Sequence, residues 1–267
     1  MHKGKIVTIY KEEGETPLKA LERFRAENPE YRTSSLIPTG HKCSLTYIGR
    51  LDPMAEGLLL ILIDGTTEQR EGCLNLDKRY RVEVLFGAKS DTGDILGLLD
   101  GQVEARVVDE GELREQLQLQ VGTFTKPYPP YSSKPVNGNP LFIWAREGRL
   151  SEVKIPTHIV KIHSIELIAF KKMSGEVLLE EIKTRVSKVA GDFRQEEIKK
   201  GWTQKLSNLQ ESKFILAEII VSCGSGAYMR MLAEDIGKGL GVSSLAYRIK
   251  RESVGDFRLG SGESQRG

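Results

Sequence analysis

Gly49-Arg50-Leu51-Asp52-Pro53-Met54-Ala55-Glu56-Gly57-Leu58-Leu59 is the stretch from which the rest of this chain is read. One acid, Asp52, stands between Leu51 and Pro53, with glycines at 49 and 57. Proline fixes its own φ and pushes the residue before it toward extended geometry, so the carboxylate is carried on stiff backbone. Leu58 to Ile63 is an unbroken apolar run and is predicted to be a buried strand. A carboxylate anchored beside a buried strand is a candidate catalytic acid or nucleophile. Taken alone, the stretch is better read as an Asp-Pro turn entering a core strand.

Length and composition set the frame. A chain of 267 residues, 39% hydrophobic and 28% charged, can bury one sizeable core or one domain carrying an insertion. Its 39 basic and 37 acidic residues leave a formal charge of only +2, so any basic surface must come from segregation of charge. Cys43, Cys73 and Cys223 are odd in number and lack ligand spacing, which fits a reducing cytoplasm better than disulfides or a zinc site. Met1 to Glu13 has too short an apolar core for a signal peptide, and no run reaches membrane length. A cytoplasmic protein without membrane contact is expected.

Along the chain, Lys5 to Tyr10 is predicted as a strand, and Thr16-Pro17 opens a helix that Asn28-Pro29 stops. Residues 30–48 show no period and are expected to be loop; Thr66 to Leu76 is expected to be helix. In Lys78 to Phe86, Tyr80, Val82, Val84 and Phe86 alternate with mostly charged residues, a half-buried strand with Tyr80 facing inward. Asp91-Thr92-Gly93-Asp94 is a polar turn, and Asp109 to Gln120 an amphipathic helix. Lys126 to Pro135 is too proline-rich for regular structure, yet basic and aromatic together, which suits base stacking and phosphate contact as well as an ordinary surface loop. Ile155 to Phe170 and Glu176 to Arg185 are predicted as strands around a Ser174-Gly175 turn. Gln195 to Leu209 is predicted as a helix docked by Ile198, Trp202 and Leu206, then Phe214 to Val221 as a strand. Cys223-Gly224-Ser225-Gly226-Ala227-Tyr228-Met229-Arg230 leads into a helix whose stripe is Tyr228, Leu232, Ile236 and Leu240. Arg230 lies off that stripe, where a surface pair with Glu234 is the plain expectation.

Four of these segments, in this order, resemble the motifs of the TruB family of tRNA pseudouridine synthases. They are Gly-x-Leu-Asp-Pro-x-Ala-x-Gly-x-Leu around Asp52; Lys-Arg-Tyr with Asp-Thr-x-Asp-x-x-Gly around Tyr80; small-Gly-x-Tyr-x-Arg ending at Arg230; and Ile249-Lys250-Arg251. The resemblance spans residues 49 to about 254. It implies an α/β (α+β) fold with a mixed, largely antiparallel central sheet flanked by helices. It implies isomerisation of the tRNA T-loop uridine at position 55 by a monomer, with no cofactor and no metal. Asp52 would be the catalytic nucleophile, Tyr80, Tyr228 and Ile249 the walls of the base pocket, and Arg230 the partner of Asp52. Residues 124–150 resemble the family's thumb, with Lys134 and Arg146 as RNA contacts.

Two departures stand out. The family usually has histidine where Tyr47 stands; Tyr47 is expected to take its place by filling the gap left by the flipped base, with His41 the alternative. Bacterial members commonly carry a small C-terminal RNA-binding domain, for which nothing after Phe257 is long enough. One catalytic domain is therefore expected over residues 1–259, with a disordered tail at 260–267 and a basic insertion at 186–213. Around that insertion Lys183, Arg185, Lys188, Arg194, Lys199, Lys200, Lys205 and Lys213 outnumber Asp192, Glu196, Glu197 and Glu211. Lys199, Lys200 and Lys205 are expected to face the tRNA backbone, unless the helix is simply solvated. A non-catalytic tRNA-folding chaperone is the alternative, though binding alone has no use for Asp52. A two-carboxylate glycosidase using Asp52 and Glu56 is weaker, since nothing independent supports Glu56.

Overall fold

The computed structural model describes residues 4–32 and 43–260. In chain order its strands are β1 (Lys5–Lys11), β2 (Leu45–Ile48), β3 (Ala55–Ile63), β4 (Lys78–Phe86), β5 (Gly122–Pro127), β6 (Pro135–Val136), β7 (Asn139–Pro140), β8 (Thr157–Ser174), β9 (Lys213–Cys223), β10 (Ser244–Val254) and β11 (Phe257–Arg258). Its helices are α1 (Pro17–Glu27), α2 (Thr67–Leu74), α3 (Glu110–Leu119), α4 (Leu141–Arg146), α5 (Gly175–Ser187), α6 (Gln195–Leu206) and α7 (Met229–Gly239). The main sheet runs β1-β3-β10-β4-β9-β8-β5, with β2 on β3 and β11 on β10. Every pairing between its named strands is antiparallel except β3 with β10. That is the mixed, largely antiparallel sheet expected.

Alternation decides the layers. Tyr80, Val82, Val84 and Phe86 of β4 face α3 and α7 in one core cluster, while Leu85, Leu216 and Tyr247 face α5 and α6 in a second. Thr16 caps α1, its Oγ1 accepting from the Lys19 amide, and Asp109 caps α3. Ile198, Trp202 and Leu206 are 1%, 0% and 0% exposed, so α6 is docked through one face. Each such side chain contributes about 1.5–3 kcal/mol on burial.

Three expectations are corrected. Residues 30–48 are not all loop: Leu45–Ile48 forms β2, four residues too short to show a period and recognisable only through pairing with Leu60 to Ile63. Glu176–Arg185 is helix, not strand. Ser174 Oγ accepts from the Val177 amide, and Leu178, Ile182 and Val186 recur every four residues on the buried face. Lys126 and Pro127 are the end of β5, an edge strand where a missing N–H is tolerated. Gly40, His41 and the tail from 261 lie outside the described residues. Among the described residues no helix is long and apolar enough to cross a membrane.

Candidate active site

Leaving β2, the chain turns through Gly49 at φ +72°, and the Asp52 carbonyl accepts from the Ala55 amide (3.0 Å) to start β3. Two buried cations hold this loop from beneath. Lys11, 0% exposed at the end of β1, donates to the carbonyls of Ala55 (2.6 Å), Glu12 (3.0 Å) and Pro53 (3.4 Å). Arg251, 1% exposed on β10, donates to the carbonyls of Leu58 (2.8 Å) and Arg50 (3.2 Å). Gly57 takes φ +109°, and a Cβ there would collide with the Arg251 carbonyl, so the motif glycine permits the parallel approach of β10 to β3.

The Asp52 side chain remains 38% exposed, and its Oδ2 accepts from Nε of Arg230 at 2.7 Å. Arg230 is not on the surface with Glu234, as helix geometry alone indicated; it is 3% exposed. Its Nη1 donates to the Thr92 carbonyl and its Nη2 to the Tyr131 carbonyl (3.1 Å). Asp94, 4% exposed, lies 3.8 Å from Arg230 Nε and accepts from Thr92 Oγ1 (2.7 Å) and the Leu96 amide (3.0 Å). Burial works against the Arg230 charge, but Asp52 and then Asp94 outweigh it and hold the guanidinium above its ordinary range. Burial pushes the Asp94 carboxyl up, with Arg230 the main opposing influence. Gly93, at φ +77°, lets the turn lie against Arg230; a Cβ would stand 3.2 Å from Cβ of that residue.

Apolar walls surround the acid. Ile249 lies in register with Ala55 on one side and Val82 on the other, and clusters with Leu51 and Tyr80. Burial pushes the Tyr80 hydroxyl above its ordinary range, opposed by Arg251, so the ring stays neutral. Half-buried Tyr228 precedes α7; burial raises its hydroxyl too, and the charge of Asp52 adds to the effect. Its ring meets Tyr128 and His158 edge-on at 6.3 and 6.1 Å, and those two stack at 4.0 Å. The 124–150 segment meets this site where Arg50 donates to Ser133 Oγ and Arg230 to the Tyr131 carbonyl, and within the segment the Lys134 ammonium lies 5.0 Å over the Tyr128 ring. Arg146 is exposed and pairs with Asp192 at 3.6 Å.

Other expected residues fall elsewhere. Tyr47 stands in register with Ile61 and packs in the cluster of Leu21, Phe24 and Ile61, because strand alternation turns it toward α1. Glu56 is hydrogen-bonded to Tyr10 and stands in register with Lys250. Lys199 pairs with Glu196 (2.6 Å) and Lys205 donates to Gln102 (3.3 Å), while Lys200 is exposed.

Sequence reasoning missed Lys11 and the role of Asp94, although Asp94 sits in the polar turn after β4. It also passed over Arg251. Lys11 carries a pH signature. Burial pushes its ammonium from an ordinary 10.5 down to about 8. Between those values the unfolded chain holds a proton that the folded chain does not, so stability rises as pH rises from about 8. Lys11→Met should lose that rise, by at most ~1.4 kcal/mol per pH unit. It should also be destabilised by ~1–3 kcal/mol at pH 7 through its unpaired carbonyls. Denaturant melts at pH 7 and pH 9.5 check both; parallel pH profiles for the two proteins would count against a buried charged Lys11.

The model of the TruB family pseudouridylate synthase N-terminal domain matches residues 40–193. tRNA pseudouridine synthase B of Bordetella avium (strain 197N) is 32% identical over 234 residues, 85% of this chain and 74% of that protein. The protein of the same name from Bordetella pertussis (strain Tohama I) is 30% identical over the same shares. Among solved structures, a chain of a Cbf5-Nop10-Gar1 complex superposes with TM-score 0.56 at 14% identity. The match covers 96% of this chain and 50% of that one, and shows a shared fold.

Proposed function

The chain belongs to the TruB family of pseudouridylate synthases, and from that premise we propose that it converts the T-loop uridine at position 55 of tRNA to pseudouridine, with Asp52 as the nucleophile. Conversion breaks an N-glycosidic bond, turns the base and rejoins it through carbon. One carboxylate can serve as nucleophile toward either the sugar or the base. The reaction is redox-neutral and intramolecular, and a cofactor-free monomer suffices for it. Asp52 supports this role: it is partly open to solvent while its Oδ2 is held by a buried arginine. A base drawn out of its stack would meet Tyr80, Ile249 and Tyr228 as walls. Incubation with a T-loop transcript, followed by pseudouridine detection, tests the proposal directly. One modified uridine per transcript is expected. Tight binding without product would leave a tRNA-folding chaperone instead.

Affinity for the RNA backbone is assigned to Lys134, Arg146 and the lysines of α6. Neutralising Lys199, Lys200 and Lys205 together should weaken binding and flatten the log K–log salt slope by ~0.7–0.9 for each phosphate no longer neutralised. The rate at saturating tRNA should hardly change. A salt titration showing an unaltered slope would make α6 a structural element only.

A further inference from the structure

Arg194 precedes α6 with φ +63° and ψ 28°, a region that residues other than glycine seldom occupy. Its side chain makes no hydrogen bond to cap that helix. It turns instead across to the polar turn after β4, where Nη1 and Nη2 donate to the two oxygens of Asp91 at 2.7 and 3.3 Å. The same guanidinium lies 5.3 Å from the centre of the Tyr131 ring, and the Tyr131 hydroxyl donates to Asp91 Oδ2 at 2.7 Å. With the Arg194 side chain only 23% exposed, this is not an ordinary solvent-screened surface pair. Two residues earlier, the Asp192 carboxylate forms an exposed ion pair with Arg146 of α4 at 3.6 Å, and its carbonyl accepts from the same guanidinium at 3.4 Å. The segment 192–194 thus grips the thumb at two places.

Both backbone acceptors of Arg230 belong to residues in this grip or next to it. Thr92 adjoins Asp91, and the Tyr131 carbonyl belongs to the residue on which Arg194 lies. We propose that Arg194, through Asp91 and Tyr131, is a positioning residue that holds the thumb over Asp52 and sets the orientation of Arg230. The 186–213 insertion is then part of the active-site frame. The kinetic half of this proposal rests on the pseudouridine synthase reading; the structural half does not.

Hydrogen exchange on the RNA-free protein tests the structural half. The thumb amides of Leu141 and Phe142 donate to the carbonyls of Lys134 (2.9 Å) and Ser132 (3.0 Å), so they report whether the part of the thumb next to Tyr131 stays ordered. In Arg194→Ala they should exchange about tenfold faster, with amides of β4 and α7 unchanged. The single-turnover rate at saturating tRNA should fall about tenfold, with the dissociation constant within a few-fold of wild type. Arg194→Lys should restore little, since an ammonium cannot make the forked pair to Asp91 or lie flat on a ring. Tyr131→Phe, which deletes only the hydroxyl, should give a smaller acceleration of the same amides and serves if Arg194→Ala folds poorly. Unchanged exchange at Leu141 and Phe142 in both variants overturns the proposal. So does a defect confined to affinity that lysine repairs, which would make Arg194 a simple phosphate ligand. If the wild-type protein forms no pseudouridine, the exchange result still decides whether the clasp exists.

Discussion

Asp52→Asn should form no detectable pseudouridine while binding tRNA within a few-fold of the wild-type protein. Asparagine has nearly the same shape, and its side-chain oxygen can still accept from Arg230 Nε, now 2.7 Å from Asp52. What the substitution removes is the negative charge, and with it the lone pair that the proposed attack requires. Losses on removing a nucleophile run to ~10⁴-fold or more. That corresponds to ~5.5 kcal/mol of barrier. Because Asp52 is 38% exposed and its turn is held by backbone groups, the fold should survive with little change in Tm. Single-turnover assays with excess enzyme separate the two effects. Turnover within a hundredfold of wild type would remove Asp52 from the chemistry.

Arg230→Ala should be costly in two independent readouts. The guanidinium is 3% exposed and serves Asp52, the Thr92 carbonyl and the Tyr131 carbonyl, so its removal orphans three acceptors and leaves Asp94 without its nearby cation. Breaking such a buried pair typically costs ~3–5 kcal/mol of stability. Loosening Asp52 should slow the reaction at least ~10²-fold. The stability loss should depend on pH, with a sign set by Asp94. Burial already lifts its carboxyl above the ordinary value, and Arg230 opposes that lift. Without Arg230 the folded-state value climbs further. A carboxyl raised on folding contributes stability at low pH that is lost as pH rises through its folded value. The Tm gap between variant and wild type should therefore narrow at acidic pH and widen toward neutrality. Arg230→Ala with wild-type Tm and near-normal rate would return the arginine to a minor role.

Much of this site is written in local rules. Pro53 stiffens Asp52, the Leu58–Ile63 run makes the buried strand, and the alternation of β4 turns Tyr80 inward. Thr16 and Asp109 start their helices where their side chains can cap them. Each signal is complete within about ten residues, so it needs no knowledge of distant partners. The order of the motifs then identifies the family and pairs Asp52 with Arg230.

Other features depend on groups that only the folded chain brings close. β2 is too short to announce itself. The segment from Glu176 to Arg185 is open to a strand reading as well as a helical one, and the Ser174 cap and the packing of α5 against α6 select the helix. Tyr47 is five residues from Asp52 in sequence, yet its pairing with Ile61 directs it to another cluster. Lys11 carries no signal in the sequence, Arg251 only its place in the last motif and Arg194 only its place in the basic insertion, until acceptors arrive from positions 44, 201 and 103 residues away. A sequence determines where a charge lies along the chain. Whether that charge can be buried depends on the carbonyls and carboxylates that replace its water, and here tertiary structure alone supplies them.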